Sequence, residues 1–125
     1  MRGSETMDRL REQVRKFADA RDWAQFHTPK NLAMALAVEA AELMEHFQWL
    51  TPQQSAALPA RAKRAVAQEI ADVLIYLVRL SDVLGVDALA AAFAKVPVNA
   101  RKYPVARGRG SAVKYSRRER RGHRL

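Results

Sequence analysis

The sequence predicts an all-α fold: a four-helix bundle-like domain that is oligomeric and carries a disordered basic C-terminal tail. Apolar residues recur at intervals of three and four along most of the chain, and the alternation typical of a half-buried strand does not persist beyond a few residues. Helix-start and helix-stop signals, such as Thr28-Pro29 and Gly85, separate these segments. With 125 residues, 49% of them hydrophobic, the chain is long enough for one domain with its own core.

The first two helices follow from apolar spacing and capping residues. Four apolar residues near the N-terminus have helical spacing: Met7, Leu10, Val14 and Phe17. They predict an amphipathic helix that ends near Ala20. Thr28-Pro29 predicts the start of the second helix, because a threonine hydroxyl caps free N–H groups and proline suits the first helical position. We expect this helix to end near Trp49.

Similar signals delimit the later helices. Thr51, with a glutamine three residues later, forms a capping-box pattern and predicts a short helix. A third long helix is expected over about residues 60–84, with Gly85 as its stop. Asp87 is expected to cap a fourth helix that ends near Pro97. Because the third helix is apolar over much of its surface, we expect it to be buried on several sides, most simply by oligomerisation.

The positive charge is concentrated at the C-terminus. The formal net charge is +9, but residues 107–125 carry eight Lys/Arg against one Glu, whereas residues 1–106 carry 14 basic against 12 acidic residues. The C-terminal segment also lacks apolar periodicity. We therefore expect a domain at residues 5–104 and a basic flexible tail at residues 105–125. Such a tail can contact nucleic acid or an anionic lipid surface, or can act only as a solubilising extension.

Composition also excludes several classes of protein. The chain contains no cysteine, which excludes a disulfide framework and Cys-type zinc or iron–sulfur sites. No uncharged apolar stretch reaches 18 residues, so we expect no transmembrane helix and no membrane partner. The N-terminal residues lack the apolar segment of a signal peptide, and we therefore expect a cytoplasmic protein.

Two pairs of carboxylates are the main chemical feature. Glu39 and Glu42 are three residues apart on the second predicted helix, and Glu69 and Asp72 are three apart on the third. Residues three apart share a helix face, and the spacing from apolar neighbours turns these faces inward. Desolvated like charges would raise one another's pKa and destabilise the fold, whereas a hard divalent cation with oxygen ligands would resolve the conflict.

This pattern favours Mg²⁺, with Mn²⁺ as an alternative, and phosphate chemistry on a nucleotide-like substrate. The competing interpretation is that the four acids are ordinary surface or salt-bridged residues. Glu45 follows Glu42 by three residues and extends the acidic face of the second predicted helix. Three roles are open for it: an extra metal ligand, a base that orients water, or a solvated side chain. A di-iron site requires Glu-x-x-His, and His46 is preceded by Leu43 at that spacing, so we discount iron.

The sequence resembles a known family. Residues 21–32 are similar to the start of the dCTP pyrophosphatases, MazG-like members of the all-α nucleotide pyrophosphohydrolase superfamily. The family's metal motif, Glu-x-x-Glu followed after a gap by Glu-x-x-Asp, matches the two carboxylate pairs. Further segments that match are residues 47–49, 72–77 and 95–104. The resemblance covers about residues 6–104 and leaves out the basic tail.

The resemblance implies hydrolysis of a dNTP to dNMP and pyrophosphate, with dCTP or a modified dCTP as substrate and nucleotide-pool sanitation as the role. It implies Glu39, Glu42, Glu69 and Asp72 as Mg²⁺ ligands. Candidate catalytic residues are Glu39, Glu42 and Glu45. Candidate substrate-binding residues are Trp23, His27, Lys30, Asn31, Trp49, Tyr76, Lys95, Asn99, Lys102 and Tyr103. The resemblance also implies a homodimer or homotetramer.

Other interpretations remain open. Each candidate substrate residue has a simpler role as a packing residue, a loop cap or a surface charge. A broad-specificity house-cleaning NTP pyrophosphatase would share the same motifs, because base choice depends on pocket shape. A non-catalytic helical module with a nucleic-acid-binding tail is the alternative from a different class: the basic tail favours it, and four inward carboxylates argue against it.

Overall fold

The computed structural model describes residues 6–112, and its regular structure is helical. Six α-helices occur in this range: α1 (Met7–Ala20), α2 (Pro29–Glu45), α3 (Pro52–Ala56), α4 (Ala60–Leu84), α5 (Ala88–Lys102) and α6 (Val105–Gly108). A short 3₁₀ helix, Trp23–Gln25, lies between α1 and α2. Residues 6–112 contain no strand, which confirms the all-α prediction for this part of the chain.

The chain divides into two compact units after Asp87. The first unit contains α1 to α4, and within it both α1 and α2 pack against α4. The second unit contains α5 and α6. Because α1 and α2 both pack against α4, side chains on α4 can contact those of α1 on one side and those of α2 on another.

Threonine begins three of the helices. Thr6 caps α1, and the Thr28 hydroxyl caps α2 by accepting a hydrogen bond from the backbone N–H of Asn31 at 3.2 Å. Thr51 begins α3 in a complete capping box, since its hydroxyl accepts from the Gln54 backbone and the Gln54 side chain accepts from the Thr51 backbone. The predicted starts of the second and the short helix are therefore confirmed.

Gly85 ends α4, as predicted. Its φ of +68° lies in the left-handed region, and a Cβ at this position would meet nothing within 4 Å. The glycine is therefore required by backbone conformation and not by close packing.

Two predicted helix ends were wrong. The second helix ends at Glu45 and not near Trp49, because residues 46–50 form tight turns in which the Phe47 N–H donates to the Met44 carbonyl three residues back. The fourth helix does not end near Pro97 but continues to Lys102. Proline removes one N–H donor from the helix, and regular bonding resumes beyond it.

The first unit buries few apolar side chains. Among the described residues only four hydrophobic ones are buried: Ala18, Leu32, Val66 and Val78. Large apolar side chains remain exposed on both helices of the α2–α4 pair, among them Met34, Val38, Met44, Ile70, Leu74 and Leu77. Apolar surface of this extent is what association with another chain would cover. No described helix has both the length and the apolar character that a membrane crossing requires.

The predicted tail is described only in part. Residues 105–112 include α6, and residues 113–125 lie outside the described part of the chain. The boundary between domain and tail therefore stays a prediction, as does the nature of the tail.

Candidate metal centre

Carboxylates from α2 and α4 meet within the first unit. Glu39 of α2 and Glu69 and Asp72 of α4 each place one oxygen within 4.8 Å of the others. Glu69 and Asp72 lie on the same face of α4 because they are three residues apart, and the packing of α2 on α4 adds Glu39. Glu39 and Glu69 are half-buried and Asp72 is exposed. We call these three side chains the carboxylate cluster.

Glu42, the fourth predicted ligand, contacts the cluster through Glu39. The two side chains are close enough to share a hydrogen bond when one of them is protonated. Glu42 is half-buried and lies one turn after Glu39 on α2. Glu42 therefore lies beside the carboxylate cluster but is not one of its three side chains.

The cluster is electrostatically strained without a cation. Burial raises the pKa of Glu39 to about 7, helped by the hydrogen bond with Glu42 and by the negative charges of Glu42, Asp72 and Glu69. The Oε2 atoms of Glu39 and Glu69 are both buried without a hydrogen-bond partner. Buried acceptors are normally satisfied, and two unsatisfied carboxylate oxygens facing one cluster fit a hard divalent cation such as Mg²⁺ or Mn²⁺.

His46 is a neighbour of the cluster that the sequence analysis did not assign to it. Its Nε2 lies 3.8 Å from Oε1 of Glu69. His46 follows Glu42 by four residues and Glu39 by seven, so helical periodicity places all three on one face. That spacing was the available signal. Glu45, in contrast, is exposed at the last position of α2 and lies outside the cluster.

The connection between α1 and α2 carries an aromatic group. Trp23 packs edge-on against Phe17 with ring centroids 5.5 Å apart, and His27 packs edge-on against Trp23 at 6.0 Å. Asp22 adopts a left-handed conformation, with φ of 53°, and thereby turns the chain into the 3₁₀ helix that begins at Trp23. Trp23 is 40% exposed, so one side of this aromatic group is open to solvent.

His27 contacts a network of charged residues that the sequence analysis did not predict. Arg79 of α4 is only 6% exposed, and its Nε donates to Nδ1 of His27 at 3.0 Å. Asp82 lies one turn further along α4 and accepts a hydrogen bond from Nε of Arg15 on α1 at 2.8 Å. The only signal in the sequence was a basic residue followed three positions later by an acid within an apolar helix.

The remaining candidates in the first unit lie in varied surroundings. Lys30 is exposed near the start of α2, and Trp49 is 87% exposed. The Asn31 amide donates through Nδ2 to the Phe26 carbonyl at 3.1 Å, so it holds the turn that precedes α2. Tyr76 is half-buried on α4, one turn after the cluster.

The last candidates belong to the second unit. Lys95, Asn99 and Lys102 follow one another at intervals of four and three residues, so they share one side of α5, and Tyr103 comes directly after it. Their role toward a substrate stays a prediction.

Comparison with known proteins identifies the family. Residues 34–117 match the MazG-like family, a segment that includes both carboxylate pairs. The chain belongs to the MazG-like family. The matched segment extends beyond residue 104, where the resemblance noted in the sequence ends, and reaches into the predicted tail.

Relatives of known name support this assignment. The MazG-like chain is 42% identical to mouse dCTP pyrophosphatase 1 over 113 residues, which is 89% of this chain and 66% of the relative. Human dCTP pyrophosphatase 1 is likewise 42% identical over 114 residues, with the same coverage. The chain thus spans slightly less than two thirds of the length of these relatives.

A solved structure agrees with the fold. The crystal structure of a pyrophosphatase from Archaeoglobus fulgidus superposes with a TM-score of 0.74 and 44% sequence identity. The match covers 78% of this chain and 92% of the archaeal chain. The chain is therefore similar to pyrophosphatases both in sequence and in the arrangement of its helices.

Proposed function

We propose that this protein is a metal-dependent nucleoside triphosphate pyrophosphohydrolase. It hydrolyses a dNTP to the dNMP and pyrophosphate, with water as the second reactant, and dCTP or a modified dCTP is its preferred substrate. The physiological role is sanitation of the nucleotide pool. The carboxylate cluster, with its two buried and unpartnered oxygens, is the observation that carries this proposal. The similarity to proteins named dCTP pyrophosphatase 1 supports the choice of substrate.

We propose Glu39, Glu42, Glu69 and Asp72 as the residues that hold Mg²⁺, or alternatively Mn²⁺. When bound there, the cation would offset the charge of the triphosphate and polarise its oxygens. The four carboxylates would then hold the phosphate end of the substrate where the middle of α4 packs against α2. Glu39 and Glu42 are also proposed catalytic residues, together with Glu45, whose exposed carboxylate is either a further ligand or a base that orients water.

The spacing on α4 supports one orientation of the substrate. Asp72, Tyr76 and Arg79 follow one another at intervals of four and three residues, which places them along one side of the helix. Seven residues of helix rise roughly 10 Å, which separates Asp72 from Arg79 along the axis of α4. His27 contacts the Arg79 side chain. We propose that the phosphates bind at the cluster and the base near His27 and Trp23, with Tyr76 between them.

The other substrate contacts are proposed by residue chemistry. Lysines act as point charges for phosphate, and amides and hydroxyls can bind the sugar. Tryptophans offer a stacking face to a base. The residues proposed in these roles are Lys30, Asn31, Trp49, Lys95, Asn99, Lys102 and Tyr103.

We further propose that the protein is a homodimer or homotetramer. The support is the small number of buried apolar residues in the first unit and the exposed apolar surface of α2 and α4. Sedimentation equilibrium at several protein concentrations measures the mass directly. A species of twice or four times 14.1 kDa is expected, and a monomer at micromolar concentration contradicts the proposal.

Product analysis tests the activity. dCTP is incubated with the purified protein, with Mg²⁺ or with EDTA, and the products are separated by ion-exchange chromatography. Mg²⁺-dependent dCMP and pyrophosphate are expected, and dCDP with orthophosphate would indicate a different phosphohydrolase. Parallel reactions with dTTP, dUTP and dATP distinguish a dCTP enzyme from a broad-specificity house-cleaning enzyme.

Matched variants connect the activity to the cluster. Glu39→Gln and Asp72→Asn each replace a carboxylate by an amide of the same shape and are expected to abolish turnover. Glu12→Gln makes the same chemical change at an exposed position of α1 and is expected to leave turnover unchanged. Full turnover in both cluster variants would refute the assignment. Absence of turnover with every nucleotide would favour the alternative of a non-catalytic module that binds nucleic acid through its basic tail.

A further inference from the structure

Arg79 is a buried cation beside the segment proposed to bind the base. Its Nε donates to Nδ1 of His27 at 3.0 Å. An arginine side chain has only donors and keeps its charge at physiological pH. The hydrogen bond therefore requires a lone pair on Nδ1, and a neutral imidazole then carries its single N–H on Nε2.

Asp82 holds Arg79 in this position. Its Oδ2 lies 3.7 Å from the nearer terminal nitrogen of Arg79 and also accepts from Nε of Arg15 at 2.8 Å. The hydrogen bond from Arg15 is the largest cause of the lowered pKa of Asp82, which keeps its carboxylate charged. Because Arg79 and Asp82 are both largely buried, moving either would leave a charge without its partner.

His27 lies between the buried Arg79 and the partly exposed ring of Trp23. The pKa of His27 lies below the usual value for histidine, mainly because the ring is partly buried and to a smaller extent because of the charge of Arg79. The ring is therefore neutral at physiological pH. Trp23 lies against the ring and is partly exposed. An aromatic side chain next to a fixed N–H donor suits a nucleobase, which offers both a stacking face and ring acceptors.

We propose that Arg79 is a positioning residue that holds His27 as an Nε2–H donor to an acceptor on the edge of the substrate base. Arg79 acts through His27 and does not itself contact substrate. Cytosine presents adjacent acceptors, its O2 and N3, and therefore fits a donor of this kind. The role toward the base rests on the proposed function, whereas the tautomer of His27 does not.

The tautomer can be measured without any activity. Long-range ¹H–¹⁵N correlation spectra of the full chain labelled with ¹⁵N-histidine distinguish the two neutral forms, and His27→Gln assigns the signals. The wild type is expected to show His27 only as the Nε2–H tautomer. Arg79→Met keeps an apolar stem but removes the donor, and it is expected to give a mixture. An Nδ1–H form in the wild type, or a pattern unchanged by Arg79→Met, overturns the proposal.

Binding tests the consequence for the substrate. The dissociation constant of a non-hydrolysable α,β-imido dCTP is measured by calorimetry, and kcat and KM are measured with dCTP. Arg79→Met is expected to raise Kd and KM about three- to tenfold, the value of one hydrogen bond, with kcat within twofold. Arg61→Met, which replaces an exposed arginine of the same helix, is the matched control and should change neither constant.

A double variant separates positioning from a structural effect. If Arg79 acts through His27, Arg79→Met adds nothing to the loss of affinity caused by His27→Gln, whereas independent effects would multiply. Unchanged affinity in Arg79→Met, or multiplied losses in the double variant, overturns the proposal. If the wild-type protein binds no nucleotide, the proposed role of His27 toward the base is refuted. The tautomer measurement still decides separately whether Arg79 orients His27.

Discussion

Replacing Glu39 by glutamine should stabilise the metal-free protein while it abolishes turnover. In the absence of a cation the Glu39 carboxylate is half-buried among Glu42, Glu69 and Asp72, and its Oε2 has no hydrogen-bond partner. Glutamine keeps the shape and removes the charge. Its amide also supplies N–H donors to the neighbouring carboxylates. Glu39→Gln therefore relieves, at a pH above the raised pKa of Glu39, repulsion that the wild type relieves only by binding a cation or a proton.

The magnitude follows from the pKa of Glu39, which is raised from 4.5 to about 7. A carboxyl whose pKa is higher in the folded state contributes stability that is complete below 4.5 and is lost as the pH rises through 7. The full difference corresponds to at most about 3 kcal/mol. Because the side chain retains some contact with water, we expect a loss of about 1–2 kcal/mol.

Urea unfolding in EDTA at pH 4.5 and pH 8, at one fixed protein concentration, measures this effect. Wild type and Glu39→Gln should be equally stable at the lower pH, and the variant should be about 1–2 kcal/mol more stable at the higher pH. Glu12→Gln is the matched control, with the same change at an exposed site and no pH-dependent difference expected. A variant less stable than wild type at pH 8 would refute the reasoning.

Adding the cation should reverse the order of stability. A ligand that binds only the folded state at 100 times its Kd stabilises by about 2.7 kcal/mol. Saturating Mg²⁺ at pH 8 is therefore expected to raise the free energy of unfolding of the wild type by several kcal/mol, and that of Glu39→Gln by much less. Equal stabilisation of both proteins would place the cation elsewhere.

Three other predictions concern the network behind His27, the start of α2 and the C-terminus. Asp82→Asn leaves the buried Arg79 without its counter-charge and should lower the free energy of unfolding, measured in urea, by about 3 kcal/mol. The wild type should keep this stabilisation at neutral pH and lose it as the pH falls from about 3.8 through the lower pKa of folded Asp82. A loss below 1 kcal/mol at neutral pH in Asp82→Asn contradicts the prediction. Thr28→Ala removes the cap of α2 and should cost about 1 kcal/mol in thermal unfolding, with Thr28→Ser as the control. Deleting residues 113–125, which carry six Lys/Arg, should leave dCTP turnover within twofold, and a tenfold loss would show that the tail acts in catalysis.

The helix ends show what local chemistry can and cannot determine. Thr28, Thr51 and Gly85 begin or end helices through interactions with residues three or four positions away, so they could be predicted correctly from the sequence. The wrong ends, near Trp49 and Pro97, depend on how the chain continues beyond the helix. A proline lowers helix stability without forbidding the helix. The three residues between Glu45 and Trp49, which are His46, Phe47 and Gln48, suit a turn as well as a helix.

The sequence by itself determined the all-helical fold and the two carboxylate pairs, because helical periodicity fixes which residues share a face. Only the tertiary structure decided which of those carboxylates meet: Glu39 joins Glu69 and Asp72 because α2 packs on α4, and burial there raises its pKa. The bond from Arg79 to His27 joins residues 52 positions apart, and that from Arg15 to Asp82 joins residues 67 apart. No local pattern encodes such contacts, since they depend on how three separate segments pack around one helix.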